Sequence, residues 1–140
     1  MKILPFAVAI AVAGYAPTIA WAGKADVIEV EVTPVGDRNY QFDVTVAHAD
    51  EGWDHYADRW EVLAPDGTVL GTRILHHPHV DEQPFTRSLS VEIPPEIERV
   101  TVRAGDSVHG HGGKSVEVDI PTSPVTSSID LGDRDELSNR

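Results

Sequence analysis

The chain has 140 residues, contains no cysteine and carries a formal net charge of −12 at neutral pH. Its length is enough for about one small domain with a single hydrophobic core, and the absence of cysteine excludes disulfides and thiolate chemistry. The acidic charge argues against nucleic acid and anionic lipid as partners and favours soluble cations and basic protein surfaces.

The first residues predict a secretory signal peptide. The run "MKILPFAVAIAVAGYAPTIAWAGKADV" has Lys2, then an uncharged stretch, then small residues on either side of a tryptophan, which is the pattern of a signal cleaved after Ala22. A membrane anchor is the alternative interpretation, because the uncharged run is nearly long enough to span a bilayer. Pro5, Gly14 and Pro17 and the small-x-small ending disfavour that alternative.

We therefore expect residues 1–22 to be removed. Because Lys2 is the only charged residue among them, the net charge of −12 becomes −13 in the mature chain, which begins at Gly23. The mature chain has no other apolar segment long enough to cross a membrane. The sequence thus predicts a periplasmic or secreted protein that does not contact the membrane after cleavage.

Beyond the signal, apolar residues recur at every second position, and Val, Ile, Thr and aromatic residues dominate these runs. This period predicts β-strands and no helix. In "DVIEVEVTPV" the predicted buried face is Ile28, Val30 and Val32, opposed by Glu29 and Glu31. In "NYQFDVTVAH" it is Tyr40, Phe42, Val44 and Val46.

Five further runs give a total of seven predicted strands. They are "YADRWEVLAP" and "TVLGTRILHH", joined by the turn "PDG", followed by "PFTRSLSVEIP", "ERVTVRAGD" and "KSVEVDIP". Seven short antiparallel strands predict an immunoglobulin- or fibronectin III-like sandwich over residues 23–121, with Trp60 in the core. The polar stretch 122–140 is predicted to be a disordered tail.

The histidines fall into three loops. Strands in such a sandwich alternate in direction, so successive loops alternate between its two ends. The loops "HADEGWDHYAD", "HHPHVDEQP" and "DSVHGHGGK" share one end and contain all seven histidines, together with the carboxylates of Asp50, Glu51, Asp54, Asp81, Glu82 and Asp106. The loops at the other end contain no histidine. This grouping predicts a shared site, although isolated solvated histidines in loops are common.

Imidazole and carboxylate ligands without thiolate or thioether suit Zn(II), Cu(II), Ni(II) or Fe and argue against a soft Cu(I) site. Residues two apart in an extended segment point the same way, so His77 with His79 and His109 with His111 are the preferred ligands. His55, His76 and Asp81 are alternates, or groups that hydrogen-bond the ligands and orient them. We expect His48 to be structural and Trp53 to cover the core.

The run "GWDHYADRWEVLAPDGTVLGTRILHHPHVDEQPF", with "SVHGHGGK" after it, resembles a group of small exported bacterial proteins without an established activity. The resemblance covers most of the mature chain. It implies export and a small β domain, and it carries over no catalytic residues.

Three functions follow from these features. The leading hypothesis is an exported protein that buffers or delivers Zn(II) or Cu(II) through the histidine-rich loops. The alternative is a β-sandwich interaction module with pH-sensitive histidine loops and a basic protein partner. A metal-dependent hydrolase is disfavoured, because a small sandwich with short loops offers little concavity, so we predict that the protein is not an enzyme.

Overall fold

The computed structural model describes residues 7–12 and 23–122, and its regular structure there consists of nine β-strands. No helix in this part of the chain is long and apolar enough to span a membrane. The strands are β1 Ala9–Val12, β2 Asp26–Gly36, β3 Asn39–Ala47, β4 Ala57–Leu63, β5 Val69–Ile74, β6 Phe85–Glu92, β7 Arg99–Asp106, β8 Gly110–His111 and β9 Val116–Asp119.

The strands form two antiparallel sheets. One has the order β1-β2-β3-β6; the other has β5-β4-β7, with β8 and β9 both pairing with β7. This confirms the all-β prediction of two antiparallel sheets, and the seven predicted strands correspond to β2–β7 and β9. The predicted count was too low because β8 has only two residues, too few to show alternation, and β1 lies in the segment read as a signal.

The core lies between the sheets, where the alternating apolar side chains of both inner faces meet. In β3 every second residue from Tyr40 to Val46 is buried, as its period-2 pattern predicts. Trp60 of β4 is fully buried, as expected.

The buried face of β2 differs from the prediction at the start of the strand. The pairing of β2 with β3 shifts register between Val27 and Glu29. Because such a bulge reverses which side a residue faces, Val27 is buried and Ile28 is only partly buried, while Val30 and Val32 point into the core as predicted.

Two predictions about the chain ends fall mainly outside the described residues. The cleavage point after Ala22 and the disordered tail lie there, apart from Thr122 at the end of the described range. Part of the predicted signal is described: β1 pairs with β2 from Ala9 opposite Val32 to Val12 opposite Glu29. Signal cleavage therefore stays a prediction, and it would remove this edge strand.

The start of β2 is held against the loop before β9. The Val27 N–H donates to the Lys114 carbonyl at 2.9 Å, and the Lys114 N–H donates to Asp26 Oδ1 at 2.7 Å. A Cβ added to Gly113 would lie 2.6 Å from Asp26 Oδ1 and would collide with the Ala25 carbonyl oxygen. Only glycine fits here, because the neighbouring backbone leaves no room for a side chain.

We expect Gly113→Ala to destabilise the domain by about 2 kcal/mol or more, since overpacking against backbone cannot be relieved by rotating a side chain. Urea unfolding would measure the effect. Gly36→Ala is the matched control, because its added Cβ would meet nothing closer than Asn39 Cβ at 3.6 Å. Equal unfolding midpoints for the two variants would contradict this explanation.

Candidate metal centre

The three histidine-bearing loops meet at one end of the sandwich, as the strand order predicts. They are residues 48–56 between β3 and β4, residues 75–84 between β5 and β6, and residues 107–115, which include β8 and lead to β9. The His79 N–H donates to Asp50 Oδ2 at 2.7 Å, joining the first two loops. The Ser107 N–H donates to the Tyr56 carbonyl at 2.9 Å, joining the first and third.

Within the described part of the chain, one group of three side chains could hold a metal ion. Candidate ligand atoms of His48, His55 and Asp106 all lie within 4.8 Å of one another. The side chains of His48 and Asp106 are fully buried, and that of His55 is 10% exposed. The group brings together the end of β3, the loop that follows it and the end of β7.

His55 presents an unused nitrogen to this group. Its Nδ1 lies 3.2 Å from Glu51 Oε1, and because a carboxylate accepts, Nδ1 carries a proton. Nε2 lies 3.3 Å from Asp106 Oδ1, but it is buried and makes no hydrogen bond to any described residue. A buried ring nitrogen that faces a carboxylate without a hydrogen bond is left unsatisfied, and a metal ion between the two atoms would satisfy both.

His48 lies beside His55, with ring centroids 4.8 Å apart. Its Nδ1 lies 2.5 Å from Asp50 Oδ1, and its Nε2 lies 2.9 Å from the Gly23 carbonyl oxygen and 3.9 Å from Asp106 Oδ2. Both hydrogen-bond partners can only accept, so both ring nitrogens donate and the ring is an imidazolium in this state. Burial lowers the pKa of His48, but the hydrogen bond and charge of Asp50 outweigh burial and raise the pKa above its usual value.

Asp106 is held in place by the turn that follows β7. Its Oδ1 accepts from the Val108 N–H at 2.8 Å and from the His109 N–H at 2.6 Å. Burial raises the pKa of Asp106, but these backbone donors outweigh burial and lower the pKa overall, so the carboxylate is ionised at neutral pH. The centre therefore contains a fixed negative charge.

The Asp50 carboxylate holds His48 in place. Besides His48 Nδ1, it accepts the Ala57 N–H at 3.0 Å and the His79 N–H at 2.7 Å. Burial raises the pKa of Asp50, whereas the donors, His48 first, lower it and prevail. One buried carboxylate thus orients His48 and connects two loops.

The predicted ligands are only partly brought together. His109 lies next to the group: its ring centroid is 4.9 Å from that of His55, and its Nδ1 is 3.1 Å from Asp106 Oδ1. His111 points elsewhere, with Nε2 3.2 Å from Glu61 Oε1 and without hydrogen-bond geometry. Gly110 has a φ of 70°, so the segment is not extended there and the two imidazoles diverge.

The other predicted pair is connected to the centre through Asp50, which accepts the His79 N–H. The His77 and His79 rings are 4.6 Å apart, but His79 stacks on Phe85 and its Nε2 accepts from Arg87 at 2.9 Å. Burial first, then the positive charge of Arg87, lowers the pKa of His79. The remaining predicted ligands, His76, His77 and Asp81, are exposed and belong to no group of three among the described residues.

Two members of the group are not among the ligands that the sequence predicts. His48 was expected to be structural, and Asp106 was counted only among the acidic residues of the loops. A usable signal was the spacing of Asp106 and His109, which are three residues apart after a strand end, where an aspartate often accepts backbone N–H groups.

The chain is 40% identical over 109 residues to a protein of Halomicrobium mukohataei named "Putative lipoprotein". The match covers 78% of this chain and 53% of that protein, so the chain spans about half the length of its relative. No protein-family model and no solved structure matches the chain.

Proposed function

We propose that this chain is an exported metal-binding protein that holds Zn(II) or Cu(II) at His48, His55 and Asp106 and so buffers or delivers the ion. The observation that carries the proposal is the shared arrangement of the two imidazoles. Each has Nδ1 hydrogen-bonded to a carboxylate, and each has Nε2 facing Asp106. Metal-binding histidines are commonly oriented in this way.

The donor set fits these ions. Two imidazole nitrogens and a carboxylate suit Zn(II) and Cu(II), and the chain has no thiolate to favour softer ions. Ligands about 2.1 Å from a tetrahedral ion are about 3.4 Å apart, whereas the group here extends to 4.8 Å. Metal binding would therefore draw the side chains together, and His48 Nε2 would lose its proton and its bond to the Gly23 carbonyl.

His109 is the best candidate for a fourth ligand. It already contacts Asp106 and lies beside His55, and its side chain is 34% exposed, so it has room to turn. In this proposal Asp106 and His109 are the ligands at the third loop, and neither H-x-H pair binds the ion as a pair.

The proposed role is binding and not catalysis. The side chains of His48 and Asp106 are fully buried, so an ion held between them would have little contact with a substrate. A hydrolytic metal needs an open coordination position that substrate can reach.

Export is supported by the N-terminal sequence pattern and by the name of the relative, which describes a lipoprotein and so an envelope-associated protein. Lipid attached through a cysteine would have no acceptor in these 140 residues, which contain none. The immunoglobulin- or fibronectin III-like assignment is likewise part of the proposal, supported by the two-sheet arrangement of the seven predicted strands.

Calorimetric titration of the purified chain, without a histidine tag, tests the proposal. We expect saturable binding of a single Zn(II) or Cu(II) ion per chain, with proton release that appears as a dependence of the heat on the buffer used. Binding should weaken at mildly acidic pH, since the imidazoles must be deprotonated to bind metal. Absence of binding in the micromolar range for both ions would refute it.

Matched histidine variants locate the site. His55→Ala should abolish tight binding, whereas His111→Ala and His77→Ala should retain it, because those imidazoles lie outside the group. If the two latter variants lost the ion and His55→Ala kept it, the exposed loop histidines would be the ligands instead.

A further inference from the structure

A surface groove lies beside the proposed metal centre, between the β3–β4 and β5–β6 loops. It has a volume of about 550 Å³. One side is formed by Gly52 and Trp53 and the other by residues 77–82. The metal proposal uses none of the side chains that line it.

The indole of Trp53 is one of the apolar surfaces that line this groove. Trp53 is 66% exposed, so the expectation that it covers the core was wrong. Its ring is supported by Tyr56, with centroids 5.5 Å apart and planes at 71°, an edge-on contact. Val80, on the opposite wall, is 54% exposed. A supported but uncovered tryptophan is typical of a contact residue, since such residues often anchor binding partners.

The charge of the groove is negative. Asp81 and Glu82 line it and are exposed. Arg87, the nearby cation, lies 3.3 Å from Glu82 Oε1 and 2.9 Å from His79 Nε2, so its charge is already engaged. Asp81 forms no ion pair with any residue of the described chain. Asp81 is therefore the carboxylate of the groove that remains available to pair with a bound cation.

We propose that this groove binds a lysine or arginine side chain in a basic segment of a partner protein. The cation would lie over the Trp53 indole, whose face attracts positive charge, and near the Asp81 carboxylate. The aliphatic stem of the same side chain would pack against Val80. The net charge of −12 would bring such a segment toward the protein. This interaction goes beyond metal binding and does not require it.

Fluorescence anisotropy with a labelled peptide of alternating lysine and alanine tests the proposal, in EDTA so that no metal is bound. We expect saturable binding that falls with added salt, and no binding of the same peptide with glutamate in place of lysine. Trp53→Ala should weaken the affinity about tenfold, while Trp53→Phe, which keeps an aromatic face, should lose less. Failure of the lysine peptide to bind would overturn the proposal.

Charge-matched variants distinguish peptide binding in the groove from a general attraction of the peptide to an acidic protein. Asp81→Asn should weaken peptide binding about threefold, and Glu96→Gln, which removes an exposed carboxylate at the opposite end of the sandwich, should leave it unchanged. Equal losses in the two variants would overturn the proposal. Trp53-dependent binding of maltohexaose, without binding of the lysine peptide, would also overturn the proposal, because the groove would then be a sugar-binding surface.

The same variants keep this proposal distinct from the metal proposal. Trp53→Ala and Asp81→Asn should bind Zn(II) with the affinity of the unaltered chain, since neither residue belongs to the buried group. Loss of peptide binding with normal metal binding is therefore the expected pattern, and His55→Ala should show the reverse.

Discussion

Replacing Asp106 with asparagine is expected to lower the affinity for Zn(II) by about 100-fold or more, because the amide removes the anionic ligand. The fold should persist. The asparagine oxygen has the same shape and can still accept the Val108 and His109 N–H groups that Oδ1 accepts now. Competition with a chromophoric zinc chelator would measure the affinity.

Asp81→Asn is the control for this variant, because it makes the same chemical change at an exposed position in a neighbouring loop. Its zinc affinity should match that of the unaltered chain. If Asp106→Asn bound Zn(II) as tightly as this control, Asp106 would not be a ligand. A large loss in Asp81→Asn would instead favour the exposed ligand set.

Asp50→Ala is expected to destabilise the metal-free domain by about 3 kcal/mol. The buried Asp50 carboxylate accepts from His48 Nδ1 and from the Ala57 and His79 N–H groups. Its removal would leave three buried donors without partners, one of them on an imidazolium. Urea unfolding in EDTA would measure the change in the free energy of unfolding.

Asp54→Ala, an exposed carboxylate in the same loop, serves as the control and should change stability by less than about 0.5 kcal/mol. Asp50→Asn should fall between the two, since the amide oxygen can accept part of these bonds but carries no charge to hold His48 as an imidazolium. A loss below about 1 kcal/mol for Asp50→Ala would show that the loops do not depend on this carboxylate.

The strands could be predicted because their signal is local. Alternation along "NYQFDVTVAH" indicates which residues of β3 are buried, and the structure agrees. The bulge between Val27 and Glu29 could not be predicted, because it depends on how β2 pairs with β3. The short strand β8 exists only through its pairing with β7 at Gly105 and Asp106.

The placement of the loops could also be predicted, since antiparallel strands return the chain to alternate ends of the sandwich. The contacts from Asp50 to His79 and from Tyr56 to Ser107 confirm that the histidine-bearing loops meet. The choice of converging side chains could not be predicted in the same way. The spacing of His109 and His111 implies a shared direction only if the backbone is extended, and the positive φ of Gly110 prevents that.

The sequence by itself determined the all-β class, the acidic charge, the absence of thiolate ligands and the end of the domain where the imidazoles gather. These follow from composition and from the two-residue period of strands, which need no knowledge of distant contacts. Only the tertiary structure decided that His48, His55 and Asp106 come together while His77 and Asp81 stay in solvent. The reason is that side-chain direction in a loop depends on backbone turns and on partners far along the chain.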